Sequence, residues 1–395
     1  MKVSLALPAL ALLAGLAAAQ DPAELRERGL TLVAAGRYAD AEPVLALALE
    51  AKEREAGADD PAVTGAIGDL ASVYRAQGKN AEAEKQYLRS LAIHEKASGA
   101  DSLDLIPDLK LLAALYVPMK RNPDAERQYL RIIAIRMKTK GADDLDLAHD
   151  CADLASFYIA QKRYAVAEPN LRRAVQIIEK KLGPVDRTLV PVLDGLATVF
   201  MKQENYPPAE APLRRMLAIQ ESVYGPNHAD VATVLDRLGM LFYLQQRYAD
   251  AEPIYKRSMA IWEAAMGPDD PELATTLENL AVVYASQEKF AEAEPLYRRS
   301  LMLRERVTVA SINNLAMTLE GQNEDIDAEQ QYKLALMVSE RIPRRDGGLG
   351  DPNLLANTVR NYSVLLHKLK RDAEARQLAA RVNAADKHKK KGGAK

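Results

Sequence analysis

The residues most often used for catalysis and metal binding are few and scattered in this sequence. The histidines lie far apart in the chain, at His94, His149, His228, His367 and His388. No two of them have the spacing of H-E-x-x-H or of another ligand pair on one helical face. We therefore predict no metal site and no bound cofactor.

One histidine lies next but one to the only cysteine, in the segment His149–Cys151. On a helix, residues two apart point about 200° away from each other, so this imidazole and thiol cannot converge as a nucleophile pair. The glycine-rich segment "DGGLGDP" follows no predicted strand, which indicates a connection and not a phosphate-binding loop. The sequence therefore predicts a protein that is not an enzyme.

The elements that carry these residues repeat along the chain. The heptapeptide "RYADAEP" occurs at Arg37–Pro43 and again at Arg247–Pro253. Glycines recur at a constant spacing, at Gly57, Gly99, Gly141, Gly183, Gly225 and Gly267. The 42-residue period holds through residue 306, after which the spacing between anchor alanines shortens to 35 and then lengthens to 47. A fixed period of this size indicates one array of stacked units.

Each unit has the pattern of two amphipathic helices joined by a short polar turn. In residues 271–305, Leu277, Leu280 and Tyr284 form one apolar face, and Ala293 and Tyr297 form a second. Small residues recur where the helices approach most closely, and the repeated glycines predict left-handed caps. Prolines such as that ending "RYADAEP" are predicted in or just after the first turn of the second helix. The predicted fold class is all-α, with about nine helix-turn-helix repeats.

The apolar pattern resembles the tetratricopeptide signature, with Leu277 at the place of its Trp and Ala281 at the place of its Gly. With this long unit, the chain resembles the long repeats of kinesin light chains and of related bacterial repeat proteins. The resemblance covers Asp21 to about Val382 and implies a superhelical solenoid. Such solenoids bind an extended peptide or a helix of a partner protein in a concave groove. Unlike kinesin light chains, this chain has no coiled-coil heptads, and its first residues predict a secretion signal.

Counting from the signature, the resemblance implies which first-helix residues face the groove. The candidate peptide-binding residues are Asp194, Asp236, Arg237, Glu278, Asn279, Asn313, Asn314, Arg360 and Asn361. In the resembling family, an Asn at the place of Asn279, Asn314 and Asn361 bonds the main chain of the bound peptide, since an amide donates and accepts at once. We predict that the later repeats hold the partner, with capping of the array as the alternative role for copies eight and nine.

The two ends of the chain differ from the array in composition. Residues 1–19, "MKVSLALPALALLAGLAAA", have the cation, apolar run and A-x-A ending of a signal peptide, with cleavage before Gln20. Retention of this segment as an anchor is the alternative. We predict a protein that is exported to the periplasm or secreted, with no membrane span after cleavage. The array is predicted over residues 20–382, followed by a basic disordered tail over residues 383–395.

The absence of a catalytic pattern leaves the function to a surface. We predict a non-catalytic scaffold for protein–protein interaction, with a protein or peptide partner. A structural protein that assembles by stacking its repeat ends is one alternative, and a repeat-type RNA binder is another. The net charge is −2 even with the lysine-rich tail included, so the array itself is acidic, which argues against a nucleic-acid partner.

Overall fold

The computed structural model describes residues 21–321, 323–342 and 352–380. Within these ranges the backbone forms helices and turns and no strand, so the all-α prediction is confirmed. The helices are α1 (Pro22–Ala34), α2 (Tyr38–Ala56), α3 (Thr64–Ala76), α4 (Asn80–Ser98), α5 (Ile106–Tyr116), α6 (Asn122–Lys140), α7 (Leu145–Ala160), α8 (Tyr164–Leu182), α9 (Leu189–Lys202), α10 (Glu210–Tyr224), α11 (Ala229–Leu244), α12 (Tyr248–Met266), α13 (Leu273–Ser286), α14 (Phe290–Gly321), α15 (Asp325–Arg341), α16 (Pro352–Lys368) and α17 (372–380). The predicted signal segment 1–19 and basic tail 383–395 lie outside the described residues.

The chain divides after Val199, inside α9, into two compact units. In the first unit the helices pack as consecutive pairs, α1 with α2, α3 with α4, α5 with α6 and α7 with α8. In the second unit, α11 packs on α12 and α13 on the first half of α14. The second half of α14 packs on α15, and α15 packs on α16. These pairs are the helix-turn-helix copies predicted from the period.

The turn within each pair contains one residue in the left-handed conformation. These residues are Gly36, Gly78, Lys120, Lys162, Glu204, Gln246, Glu288, Asn323 and Lys370, with φ between 57° and 75°. The next N–H closes the first helix by bonding the carbonyl five residues back, as Arg163 does to Tyr158 at 2.9 Å. Only the first two of these residues are glycines, so the residue types carry no general signal for this turn.

The glycines between copies differ from the prediction of a left-handed cap. Their φ values are positive, 86° to 100°, but ψ is extended; at Gly57, for example, φ is 100° and ψ is 146°. This region is accessible essentially to glycine alone, because a Cβ would clash with the backbone. The N–H of Gly57 still ends α2 by donating to Glu53 at 2.8 Å.

The prolines lie just after the first turn of the second helices, at the predicted position, but their effect on the helix differs from the prediction. The affected helices are α2, α8, α12 and α14, with Pro43, Pro169, Pro253 and Pro295 in their interiors. Because α12 begins at Tyr248, Pro253 lies in its second turn, past the N–H groups that have no intrahelical acceptor. Each proline therefore removes one helical hydrogen bond, so the explanation that its missing N–H has no intrahelical acceptor is wrong.

Copies seven and eight depart from the regular pattern because α14 is one continuous helix of 32 residues. Its first half is the second helix of copy seven, and its second half is the first helix of copy eight. One full period after Gly267 the chain has Val309, and the connection between helices that the other copies have at this place is absent, which shortens the spacing by seven residues to 35. Without a glycine or proline to end it, the helix continues. The prediction of two separate helices was wrong at this place.

Candidate peptide-binding surface

The first helix of copy six contributes two candidate residues in the second unit. Asp236 accepts hydrogen bonds from Thr276 Oγ1 at 2.7 Å and from the Trp262 indole at 3.1 Å. Burial raises the pKa of Asp236, while hydrogen bonds from Ser258, Thr276 and Trp262 oppose that rise. Asp236 thus accepts hydrogen bonds from α12 of copy six and from α13 of copy seven. Arg237 is half-buried, and burial lowers its pKa.

Copy seven contributes Glu278 and Asn279, and the two side chains differ in availability. Glu278 forms an exposed ion pair with Arg304 of α14. Asn279 is half-buried, and its side chain makes no hydrogen bond with the described residues. Its amide therefore retains both a donor and an acceptor for a ligand.

In copy eight the two predicted asparagines have different environments. Asn313 is buried, and its Nδ2 donates to Thr358 Oγ1 at 2.7 Å and to Val309 O at 3.2 Å. Its side chain joins copies eight and nine and is not presented at the surface, which differs from the prediction. Asn314 is exposed on the neighbouring face of α14.

Copy nine contributes Arg360 and Asn361 from α16. Arg360 is exposed and makes no side-chain hydrogen bond with the described residues. The Asn361 amide nitrogen lies 3.5 Å from Met317 Sδ, a contact between the first helices of copies eight and nine. Asn361 therefore lies beside the residue that follows Asn314 by three positions on α14.

The continuous helix α14 divides the candidate set in the second unit. Glu278 is tied to the first half of α14 through Arg304, whereas Asn314 lies ten residues further along the same helix. At about 1.5 Å per residue, these positions are separated by roughly 15 Å along the helix axis. The contact of Glu278 with α14 and the candidate Asn314 therefore lie at different levels of this helix.

The ninth candidate, Asp194, belongs to the first unit. It lies half-buried on α9.

An open pocket lies where copies eight and nine meet. Its volume is about 470 Å³, and its lining residues are Met317, Glu320, Gly321, Tyr332, Asn361, Val364 and Lys368. Met317 and Val364 are 52% and 57% exposed, so the apolar part of the pocket faces solvent. Lys368 pairs with Asp325 at 2.6 Å, and Glu320 accepts from the Tyr332 hydroxyl at 3.1 Å. The pocket thus combines an amide, a positively charged side chain, a negatively charged side chain and two exposed apolar side chains.

Sequence reasoning found the asparagines but missed the apolar residues beside them. Three of the four candidate asparagines are followed three residues later by a valine or methionine, in the pairs Asn279/Val282, Asn314/Met317 and Asn361/Val364, whereas the buried Asn313 is followed by Ala316. Residues three apart are neighbours on a helix, so each amide has an apolar side chain next to it. The sequence contains this pattern, N-x-x-[VM], in three successive first helices.

Clusters of metal ligands and long apolar helices are two further features that bear on the sequence predictions for the described part of the chain. No group of three or more His, Cys, Asp or Glu side chains there is placed to hold a metal ion. Among the same residues, no helix combines the length and apolar character that crossing a bilayer requires. Cys151 is buried, and burial raises the pKa of its thiol to about 11.

The paired helices and their repeated first-helix face define a helical-repeat protein. The tetratricopeptide repeat family model matches residues 21–96, 63–138, 143–222, 188–264 and 230–306, and a second model of the same description matches residues 308–342. The chain belongs to the tetratricopeptide repeat family. The last match begins within α14, so the sequence of copy eight is a repeat even though no turn precedes it.

Solved structures with similar architecture come from several organisms. The chain is 23% identical to BtubC (BKLC) from P. vanneervenii, over 57% of this chain and 89% of that one, with a TM-score of 0.47. It is 20% identical to a putative kinesin light chain of Podosopora anserina with nearly identical TPR-like repeats (52% and 97% covered, TM-score 0.45). It is 20% identical to the quorum sensor NprR from B. thuringiensis (75% and 80% covered, TM-score 0.42). A comparison with curated proteins finds no match. These similarities concern the helical-repeat architecture alone.

Proposed function

We propose that the chain is a non-catalytic scaffold that binds an extended peptide or helix of a partner protein on its first helices. The pocket between copies eight and nine is the proposed contact site. The observation that carries this proposal is the open pocket in which Asn361 lies beside the exposed Met317 and Val364.

The chemistry of this pocket suits a peptide segment. A peptide main chain offers alternating N–H and C=O groups, and one amide side chain can bond both. The exposed apolar pair would cover an apolar side chain of the ligand, which removes both surfaces from water. Lys368 and Glu320 at the rim supply charges of both signs that would fix the register of the ligand.

The same proposal places the protein outside the cytoplasm. It rests on residues 1–19, whose pattern is that of a cleaved signal peptide. Partners would then be sought among envelope or secreted proteins, and nucleic acid is not expected as a ligand.

The test begins with affinity capture. Wild-type protein, Val364→Asp and a control, Leu130→Asp, are each used to capture proteins from envelope extract, and captured proteins are identified by mass spectrometry. Leu130 lies on α6 in the first unit and is also a half-exposed aliphatic side chain. Exposed substitutions usually change the free energy of unfolding by no more than about 0.5 kcal/mol, so both variants should melt as the wild type does.

Calorimetry with the identified segment then measures the effect. We expect Val364→Asp to weaken binding by about tenfold or more, because it buries a charge in the apolar part of the interface. Asn361→Ala should weaken binding by about 1 kcal/mol through loss of a buried hydrogen bond. If both pocket variants bound the segment as strongly as Leu130→Asp does, the pocket would not be the binding site.

A further inference from the structure

Three apolar side chains on α14 are exposed at positions where apolar side chains are buried in other copies. Tyr297 is 39% exposed, Leu301 54% and Leu315 48%. The corresponding residues one copy later, Tyr332, Leu336 and Tyr362, are 0%, 6% and 5% exposed. The side chains at these positions are apolar in both sets. Their exposed fractions differ because of the way copies seven and eight are connected.

In regular copies these positions pack against each other. Tyr332, Leu336 and Tyr362 share one apolar cluster, which joins the second helix of copy eight to the first helix of copy nine. The equivalent residues of copies one and two, Leu45, Leu49 and Leu70, likewise belong to one cluster. The second helix of each copy thus presents a surface that the first helix of the next copy covers.

The continuous α14 prevents this contact within one chain. Leu301 and Leu315 are 14 residues apart on the same helix, which is about 21 Å along its axis. Tyr297 and Leu315 are 18 residues apart, which is about five full turns, so the two side chains lie on the same side of α14. Two complementary surfaces therefore lie end to end, exposed on one side of the helix.

We propose that a second copy of this chain covers α14 in a two-fold symmetric, antiparallel pairing. Tyr297 and Leu301 of one copy pack on Leu315 of the other, and the reverse contact is made by symmetry. The pairing reproduces between chains the contact that adjacent repeats make within a chain. This goes beyond the proposed peptide binding and uses different residues.

The second copy is favoured over other partners because the chain carries both halves of the contact. A two-fold interface is self-complementary, and here each half of α14 fits the opposite half of another α14. Shortening a connection until two packing elements can no longer fold back is a recognised route to exchange of elements between protomers. The seven-residue shortening before Val309 is a change of this kind.

Association is measured first. Light scattering and sedimentation of the full chain at micromolar concentrations should give the mass of a dimer. Leu301→Asp and Leu315→Asp should each raise the dimer dissociation constant by roughly tenfold or more, while Leu130→Asp should leave it unchanged. A wild-type chain that stays monomeric at these concentrations, or variants that dimerise as it does, would overturn the proposal.

Cross-linking separates the antiparallel pairing from other contacts. In a Leu301→Cys, Leu315→Cys double variant, a disulfide can form between copies, whereas within one α14 the about 21 Å spacing is far beyond the roughly 7 Å limit between Cα atoms. Cys151 is buried and does not compete. We expect a covalent dimer from the double variant and none from either single variant. An intramolecular disulfide in a monomer would show that α14 folds back, and would refute the pairing.

Restoring the connection provides the matched control. Insertion of the segment "GPDDPEL" (Gly267–Leu273) between Thr308 and Val309 returns the spacing to the regular period of the earlier copies. Tyr297, Leu301 and Leu315 can then pack within one chain, so the inserted variant should be a monomer. A dimer that survives the insertion, with the same dissociation constant, would place the interface elsewhere.

Discussion

At the scale of single residues, close packing between helices depends on glycines that leave no room for a side chain. A Cβ built on Gly239 would lie 2.7 Å from the ring of Tyr255, which is a buried side chain. A Cβ on Gly68, at an equally helical position, would meet nothing within 4 Å. The same residue type is therefore required at one site and replaceable at the other.

We expect Gly239→Ala to lower the free energy of unfolding by about 1 to 3 kcal/mol, because a rigid buried ring must move to accept the methyl group. Gly68→Ala is the matched control and should raise the free energy of unfolding by about 0.5 to 1 kcal/mol through helix propensity. Urea denaturation of both variants measures the difference. Equal midpoints for the two variants would contradict the close contact at Gly239.

The sequence predicted the small residues but not the fate of every polar one. Gly239 and the repeated alanines follow from the period, since the helices must approach at the same place in each copy. Asn313 and Asn314 are adjacent and identical, and only the packing of α16 decides that the first is buried and bonded to Thr358. Which of two adjacent asparagines is buried can be predicted only when the three-dimensional positions of the neighbouring copies are known.

At the scale of the elements, the repeated heptapeptide has a physical role in joining copies. Arg163, at the start of α8, pairs with Glu126 of the preceding copy, and its guanidinium lies 4.6 Å from the ring centre of Tyr158. The Tyr158 hydroxyl also donates to Glu126, at 2.8 Å. Equivalent contacts join Arg121 to Glu84 at 2.6 Å and Arg247 to Glu210 at 2.8 Å. The Arg and Glu of "RYADAEP" are therefore partners in adjacent copies, not within one heptapeptide.

These contacts predict a dependence of stability on acid pH. Hydrogen bonds from Lys256 and Lys289 lower the pKa of Glu252 to about 2, against the opposing effect of burial. The folded state then binds fewer protons than the unfolded state between about pH 4.5 and pH 2, so stability is lost as pH falls through this range. Glu252→Gln should lower the free energy of unfolding by about 1 kcal/mol at pH 7 and reduce its slope below pH 4.5.

The equivalent residue of the next copy supplies the control. Among the described residues, Glu294 is exposed and pairs only with Arg298 of its own helix, because the position that would pair with it in copy eight is Glu324. Glu294→Gln removes no contact between copies and is therefore the matched control. Denaturation curves collected from pH 7 to pH 2 measure both variants. A slope that changes equally in the two would show that the contact between copies is not its cause.

Element boundaries were predictable where glycine or proline marks them and less so elsewhere. The missing glycine at Val309 was visible in the sequence, but a shorter spacing alone does not distinguish a tight turn from a continuous helix. Left-handed turn residues such as Lys162 and Gln246 were not predictable, because the backbone bond that closes the helix offsets their steric cost.

At the scale of the whole molecule, the period established the family and the pairing of helices, and the composition established little about partners. The structure adds the pocket at Asn361, which lies between copies eight and nine, and the continuous helix α14, which joins copies seven and eight. The prediction of export concerns residues 1–19, which lie outside the described part of the chain.

Export can be tested on natively produced protein. Cleavage after Ala19 should give a mature chain that begins at Gln20, because the small residues at Ala17 and Ala19 satisfy signal peptidase. N-terminal sequencing or intact mass measurement of protein from the envelope fraction determines the first residue of the mature chain. An Ala17→Leu, Ala19→Leu variant should accumulate uncleaved. Recovery of wild-type protein that still begins at Met1 would contradict export with cleavage.

The continuous helix also constrains the kind of ligand that could use the whole second unit. An extended peptide advances about 3.3 Å per residue, so crossing the roughly 15 Å between the level of Arg304 and Asn314 takes about five residues. An extended ligand that contacts both the Glu278–Arg304 pair and Asn314 would therefore need about five residues between its two points of contact. Deleting those residues would leave one point of contact occupied and remove the gain in affinity from the other.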